Sequence, residues 1–191
     1  ISYTRTEELR LPSRIQGLYR VQILTDANKA VYEYGTAGDN DSLLSTDTTE
    51  VSLNPRPDLQ VGDMSVPDHV TAGTSAALQY EVINQGATAA NGHWQDKVYL
   101  SLDGTLSGDD VLLGSYENAS ALAPTQSYSS TSAMIDIPIQ YRGDAYLIVV
   151  ADGNYQLDEY PNDSNNAKAM HFYIDPVPFS GCTTTWDALC M

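Results

Sequence analysis

Two acidic loops carry the residue types from which a metal site is made. The stretch LDGTLSGDD offers Asp103, Asp109 and Asp110, and DGNYQLDEYPND offers Asp152, Asp158, Glu159 and Asp163. Calcium takes about six to eight oxygen ligands from carboxylates, amide oxygens and backbone carbonyls, and acidic loops between strands supply all three. Neither loop follows the EF-hand pattern. The same side chains also cap turns and solvate loops, so two readings stand: a pair of weak calcium sites, or turn chemistry. The second loop has a further expected role. If the elements that hold them alternate in direction, the two loops fall at opposite ends of the domain, which places the second beside the entry segment NPRPD, where Asp158, Glu159 or Asp163 would stiffen the joint through a cation.

The rest of the chain offers little catalytic machinery. His69 falls in a predicted turn, His93 precedes Trp94 and His171 lies in the last predicted strand, each apart from obvious partners, so structural roles are expected. There is no GxSxG elbow, HExxH or glycine-rich phosphate loop. The run SYSSTS carries hydroxyls without a base to activate them. The chain is therefore expected not to be an enzyme. Cys182 and Cys190, in SGCTTTWDALCM, fit neither a zinc pattern nor CxxC. They are read as a small disulfide loop, worth about 2 to 3 kcal/mol, or as two free thiols. Asn40, Asn118 and Asn162 each precede a serine by two positions, a weak pointer to N-glycosylation.

Charge and hydropathy narrow the partners. Across 191 residues, 9 Lys plus Arg face 25 Asp plus Glu, for a formal charge of −16. That charge opposes phosphate backbones and anionic lipid, so nucleic acid is excluded as a partner. It suits solubility, including in a salty or calcium-containing medium. No apolar run approaches the ~20 residues a membrane helix needs, so membrane insertion is not expected. A hydrophobic content of 42% suffices for packed cores.

The acidic phrase ADGNYQLDEYPNDSNN (151–166) has an earlier counterpart in TDANKAVYEYGTAGDNDS (25–42). A shift of 126 residues pairs Asp26 with Asp152, Asn28 with Asn154, Glu33 with Glu159 and Tyr34 with Tyr160. The same shift lays LPSRIQGLYRVQIL (11–24) over IPIQYRGDAYLIVV (137–150), matching Pro12 to Pro138 and Gly17 to Gly143. A period this long implies tandem domains. Residues 1–53 are expected to be the C-terminal strands of a first domain, incomplete in this chain. Residues 54–58 are expected to be a linker, 57–176 a complete second domain, and 177–191 a tail open to being the start of another.

These loops must be held by strands, because helical periodicity is hard to find and β-favouring runs recur between turn signals. In the complete domain strands are predicted at 58–66, 76–84, 94–102, 111–116, 127–135, 145–151 and 167–174. The connections PDHVTAGTS, NQGATAANG, DGTLSGDD, PTQS, QYRGD and YPNDSNN are dense in Gly, Pro, Asn, Asp and Ser, as turns require. AYLIVVAD is apolar on both faces, which suits a central strand. The predicted fold class is all-β, a seven-stranded antiparallel immunoglobulin-like sandwich with Trp94 as core anchor.

The segments PDLQVGDMSVP, ALQYEVINQGATAANG, VYLSLDGTLSGDDVLLGS and AYLIVVADGNYQLDEYPNDSNN, in this order and spacing, resemble the cell-adhesion-related domain found in bacteria, abbreviated CARDB. The resemblance implies a seven-stranded sandwich, occurring in tandem in large secreted or surface proteins as a spacer or adhesive module without known catalysis. The first copy departs from the pattern, reading GDNDSLLS where the second has Asn165 and Asn166.

The expected function is a structural or adhesive segment of a multi-domain extracellular or cell-surface protein or filament. The alternatives are an accessory module of a secreted hydrolase, or a carbohydrate- or protein-binding domain using Tyr116, Tyr155 and Tyr160. The prolines of NPRPD favour extended backbone and hence a stiff joint. A truncated first domain leaves an open edge. Its expected partner is an adjacent part of the same polypeptide or a neighbouring copy, which by strand complementation would give a homopolymer.

Overall fold

The computed structural model describes residues 4–32, 34, 41–118 and 120–178, with the backbone alone at 131 and 132. Cys182, Cys190 and Asn40 lie outside the described residues, as does Glu33 of the repeated phrase. The chain divides into two compact units, Ile1–Asn54 and Pro55–Met191.

The first unit is a long, interrupted hairpin. Strand β1 (Gly17–Tyr19) pairs antiparallel with β4 (Thr49–Val51), and β2 (Gln22–Leu24) with β3 (Ser42–Leu44). Ser45 N–H donates to the Val21 carbonyl at 2.8 Å and joins the two ladders. Alternating Leu, Val and Ile favour extended backbone here, yet among the described residues their side chains stay largely exposed. Val21 is 47% and Ile23 57% exposed.

The second unit is a sandwich. Its strands are β5 (Leu59–Ser65), β6 (His69–Thr71), β7 (Ser75–Asn84), β8 (Trp94–Ser101), β9 (Val111–Asn118), β10 (Ser127–Asp136), β11 (Gly143–Val150) and β12 (Ala167–Asp175). One sheet runs β10-β7-β5, the other β6-β12-β11-β8-β9. Each predicted strand is present within two residues of its expected ends. The extra strand is β6, which falls in PDHVTAGTS and was expected to be turn, so His69 lies in a strand. Three residues are too short for period-2 patterning to show. What makes β6 a strand is tertiary pairing, parallel to β12.

Alternation fills the core from both sheets. Along β7, Ala76, Leu78, Tyr80 and Val82 point inward, and along β8, Trp94, Val98 and Leu100 do. Trp94 is fully buried. In β11, Ala145, Leu147 and Val149 join this core, while Ile148 and Val150 are buried on the opposite face. One inward position breaks the pattern: Asp96, between Trp94 and Val98, is 1% exposed.

Bulges in β5, between Val61 and Met64, and in β10, between Ser130 and Ala133, flank Tyr80 of β7 from both sides. A bulge bends its strand and re-aims side chains, and here the Tyr80 hydroxyl crosses to Asp96 of the other sheet at 3.2 Å.

Leu147→Ala is expected to lower unfolding stability in urea by about 2 to 5 kcal/mol through cavity formation. Val21→Ala, 126 positions earlier, is expected to change the same transition by less than about 0.5 kcal/mol, as exposed positions do. Equal losses would contradict the burial described for the two units.

Candidate functional site

The densest set of buried polar contacts lies where the chain enters β5. Three segments meet there: residues 56–59, the turn after β7, and the loop 151–166 between β11 and β12. Asn84, fully buried at the end of β7, organises the turn. Its Oδ1 accepts from Asp58 N–H at 3.1 Å and Gly86 N–H at 3.0 Å, and its Nδ2 donates to the carbonyls of Thr88 and Leu122 at 2.8 and 2.9 Å. Gln85 and Ala87 add backbone bonds to the carbonyls of Asp58 and Arg56. Gly86 is required by contact, since a Cβ there would fall 2.4 Å from the Arg56 oxygen and 2.5 Å from the Asp58 nitrogen.

The loop 151–166 closes over the entry segment from the other side. Asp58 accepts from Asn165 at 2.9 Å and from Asn162 at 3.1 Å. Glu159, 2% exposed, accepts the Leu59 N–H at 2.6 Å, and its other oxygen accepts from Asn166 Nδ2. Arg56 lies 3.2 Å from the Asp158 carboxylate, donates to the Tyr160 carbonyl at 3.1 Å and stands over the Tyr160 ring at 5.8 Å. The loop's own shape comes from Asp152. With φ of 46°, it accepts the N–H groups of Gln156 and Leu157 at 2.9 and 2.7 Å on its two carboxylate oxygens.

A second polar group bridges the sheets beneath this clamp. Asp96 accepts from the hydroxyls of Tyr128 and Tyr80 and from Asp152 N–H, and Trp94 Nε1 donates to the Tyr128 oxygen at 3.2 Å. Burial pushes Asp96 up to about 6, partly offset by these donors. Burial likewise pushes Glu159 up to about 7, opposed by the bonds from Asn166 and Leu59 and reinforced by the charges of Asp152 and Asp58. Asp152 is also raised, first by burial, with the charge of Asp163 adding to it.

The loops anticipated as metal sites are at opposite ends of the sandwich, since β8 and β11 run antiparallel with Ser101 opposite Tyr146 and Lys97 opposite Val150. In the first loop, Asp103 accepts Thr105 N–H at 2.8 Å, Asp110 accepts Ser107 N–H at 2.7 Å, and Asp109 accepts the Ser107 hydroxyl at 2.5 Å. These carboxylates line a small cleft of about 80 Å³ with Tyr141. In the second loop Asp152 and Glu159 hold backbone amides and Asp158 faces Arg56, which brings a positive side chain to the joint. Among the described residues no three His, Cys, Asp or Glu side chains converge as ligands would.

Each histidine has a carboxylate neighbour that sequence proximity does not reveal. His69 faces Asp175 at 3.3 Å, His93 Glu117 at 3.5 Å and His171 Asp144 at 2.9 Å, all at the surface. Of the three tyrosines considered for ligand binding, only Tyr155 is well exposed, at 69%. Tyr116 donates to the Met134 carbonyl and Tyr160 packs under Arg56.

These features define an all-β sandwich module whose buried carboxylates anchor backbone. The chain belongs to the CARDB family, whose model matches residues 56–170. No curated protein matches the chain. Among solved structures, it is similar to the CARDB domain of a Pyrococcus furiosus protein crystallised in complex with di-metal ions, at 18% identity over 63% of this chain and 90% of that one, with a TM-score of 0.48. It is also similar to a Listeria innocua β-glucosidase solved with glucose, at 15% identity over 62% of this chain and 16% of that one, with a TM-score of 0.41.

The raised carboxylates set a pH dependence. A group whose folded pKa exceeds its unfolded value contributes stability that is full below the unfolded value and lost as pH rises through the folded one. For Asp96 and Glu159 those folded values are about 6 and about 7. The thermal midpoint is therefore expected to fall from about pH 5 to about pH 8, and Glu159→Gln to flatten the upper part of that fall. A midpoint that rises over this range would contradict the assignment.

Proposed function

We propose that this chain is a stretch of a modular secreted or cell-surface protein in which sandwiches, joined by short proline-bearing segments, act as non-catalytic spacers or adhesive modules. On this reading Ile1–Asn54 is the terminal hairpin of a preceding domain of the same immunoglobulin-like type. The observation that carries it is the coincidence of local geometry in the two units. Asp26 and Asp152 have φ of 42° and 46°, and Lys29 and Tyr155 have 51° and 54°. Asp26 accepts the N–H groups of Ala30 and Val31 at 2.7 and 2.9 Å, as Asp152 does those of Gln156 and Leu157. Gly17 and Gly143 both have positive φ and open their strands.

The reading also accounts for the exposed apolar residues of the first unit. Tyr19, Val21 and Ile23 occupy the positions of Ala145, Leu147 and Val149, which are fully buried in the second unit. Across the strands, Tyr19 lies opposite the small Thr49, whereas the small Ala145 lies opposite Phe172. In the second unit that face is covered by strands from the N-terminal side of the same polypeptide. The same source is proposed for the first unit, in preference to a second copy of the chain.

A chain carrying an added copy of residues 55–136 ahead of residue 11 tests this. Amide exchange at Ile23 and Leu43 is expected to slow by about 100-fold or more, as for residues entering a cooperative core, and light scattering to show a monomer. A parallel version with Tyr19→Ala and Thr49→Phe matches the pairing of the second unit. Unprotected amides in both versions, or protection of β2 and β3 only on dimerisation of the original chain, would overturn the proposal.

A further inference from the structure

The pairing of β6 with β12 stands apart among the described strands: every other ladder is antiparallel, and this one is parallel. It joins the second strand of the unit to its last. Tyr173, Ile174 and Asp175 lie opposite His69, Val70 and Thr71. Tyr173 N–H donates to the Asp68 carbonyl at 2.8 Å and Ala72 N–H to the Asp175 carbonyl at 2.9 Å, extending the ladder at both ends. On the inner side Val70 and Ile174 are buried in the core. On the outer side the His69 ring stands 5.3 Å from the Tyr173 ring and 3.3 Å from the Asp175 carboxylate.

The direction of the strands gives this ladder a mechanical meaning. The chain enters β5 beside the loop 151–166, and β12 runs away from that loop to its far end, where Ile174 lies opposite Gly143 at the start of β11. Entry and exit thus lie at opposite ends of the unit. Tension on the chain draws β6 towards its N-terminal side and β12 towards its C-terminal side. Because the two strands are parallel, those pulls act in opposite senses along one axis, and the slanted bonds of the ladder are loaded together. Neighbours in a hairpin such as β11 and β12, pulled apart at their open end, give up their bonds one at a time.

We propose that β6 and β12 form a tension-bearing latch, which keeps the sandwich closed when the polypeptide is pulled from its two ends. The inference rests on the reading of the chain as a module in series with others, and gives such modules a load-bearing role. Tension reaches β5 before β6, so the latch is the last tie between the entry and exit strands. The clamp on residues 56–59 acts upstream of it.

Single-molecule pulling of the full chain in two geometries tests the proposal. Handles at residues 54 and 177 load the latch in shear, whereas handles at residues 141 and 177 peel β12 from β11. The first geometry is expected to rupture at a force at least about twice the second at the same loading rate, forced unfolding being governed by the barrier rather than by equilibrium stability. Ala72→Pro removes the N–H that bonds Asp175 and is expected to lower the first force while leaving the second. Equal forces in the two geometries would overturn the proposal, as would an unchanged first force in a folded Ala72→Pro chain. If that variant does not fold, the comparison of geometries on the unsubstituted chain decides. A weak latch would leave the tandem-module reading intact, because that reading is tested by the extended chain.

Discussion

The structure depends on one constraint: a carboxylate taken out of water must be met by donors, and where the chain enters this sandwich the donors are the Leu59 backbone amide and the side-chain amides of the loop that closes over it. Glu159 holds the Leu59 amide and Asp58 holds Asn162 and Asn165. Neither residue would be tolerated at this depth without those bonds, because a buried charge left unpaired costs several kcal/mol. The reverse also holds. The loop 151–166 is long and polar, and its conformation follows from Asp152, Glu159 and the paired asparagines, each with a designated backbone or side-chain partner. Entry strand and loop define each other.

The same economy explains the middle of the core. A carboxylate at an inward position of β8 would be a defect in an apolar interior, but Asp96 is met by two tyrosine hydroxyls and a backbone amide. The bulges on either side of Tyr80 curve the three-stranded sheet at the point where its hydroxyl crosses the sandwich. Sheet irregularity and buried charge are therefore two aspects of one arrangement, which ties the sheets together by hydrogen bonds as well as by packing. The hairpin of the first unit has a carboxylate-centred turn of its own, at Asp26, and among its described residues Val21 and Ile23 stay exposed.

Much of the fold was legible in the sequence because period-2 patterning and turn chemistry act locally. The strand from Ser75 to Asn84 alternates along its length, and NQG marks its end for a reason visible only in three dimensions, the passage of Arg56 to Asp58 over Gly86. What local signals do not carry is pairing at a distance. β6 exists because β12 lies beside it. Arg56 meets Asp158 across a sequence separation of about a hundred residues, and the three histidines find their carboxylates across strands. Asp96 could have been noticed as a charge on the core-facing register of WQDKVYLS. The acidic loops were legible as loops, but their composition could not distinguish ligands for a cation from acceptors for amides, because the residue types are the same.

The central claim is that the entry strand is locked to the exit hairpin through Glu159, and it is tested most directly at the Leu59 amide. Its hydrogen exchange, measured by NMR on the folded chain, is expected to proceed only through global unfolding, with the same free energy as the amides of Leu147 and Val149 in the central strand. Exchange at Leu59 through a local opening several kcal/mol below the global value would contradict the account.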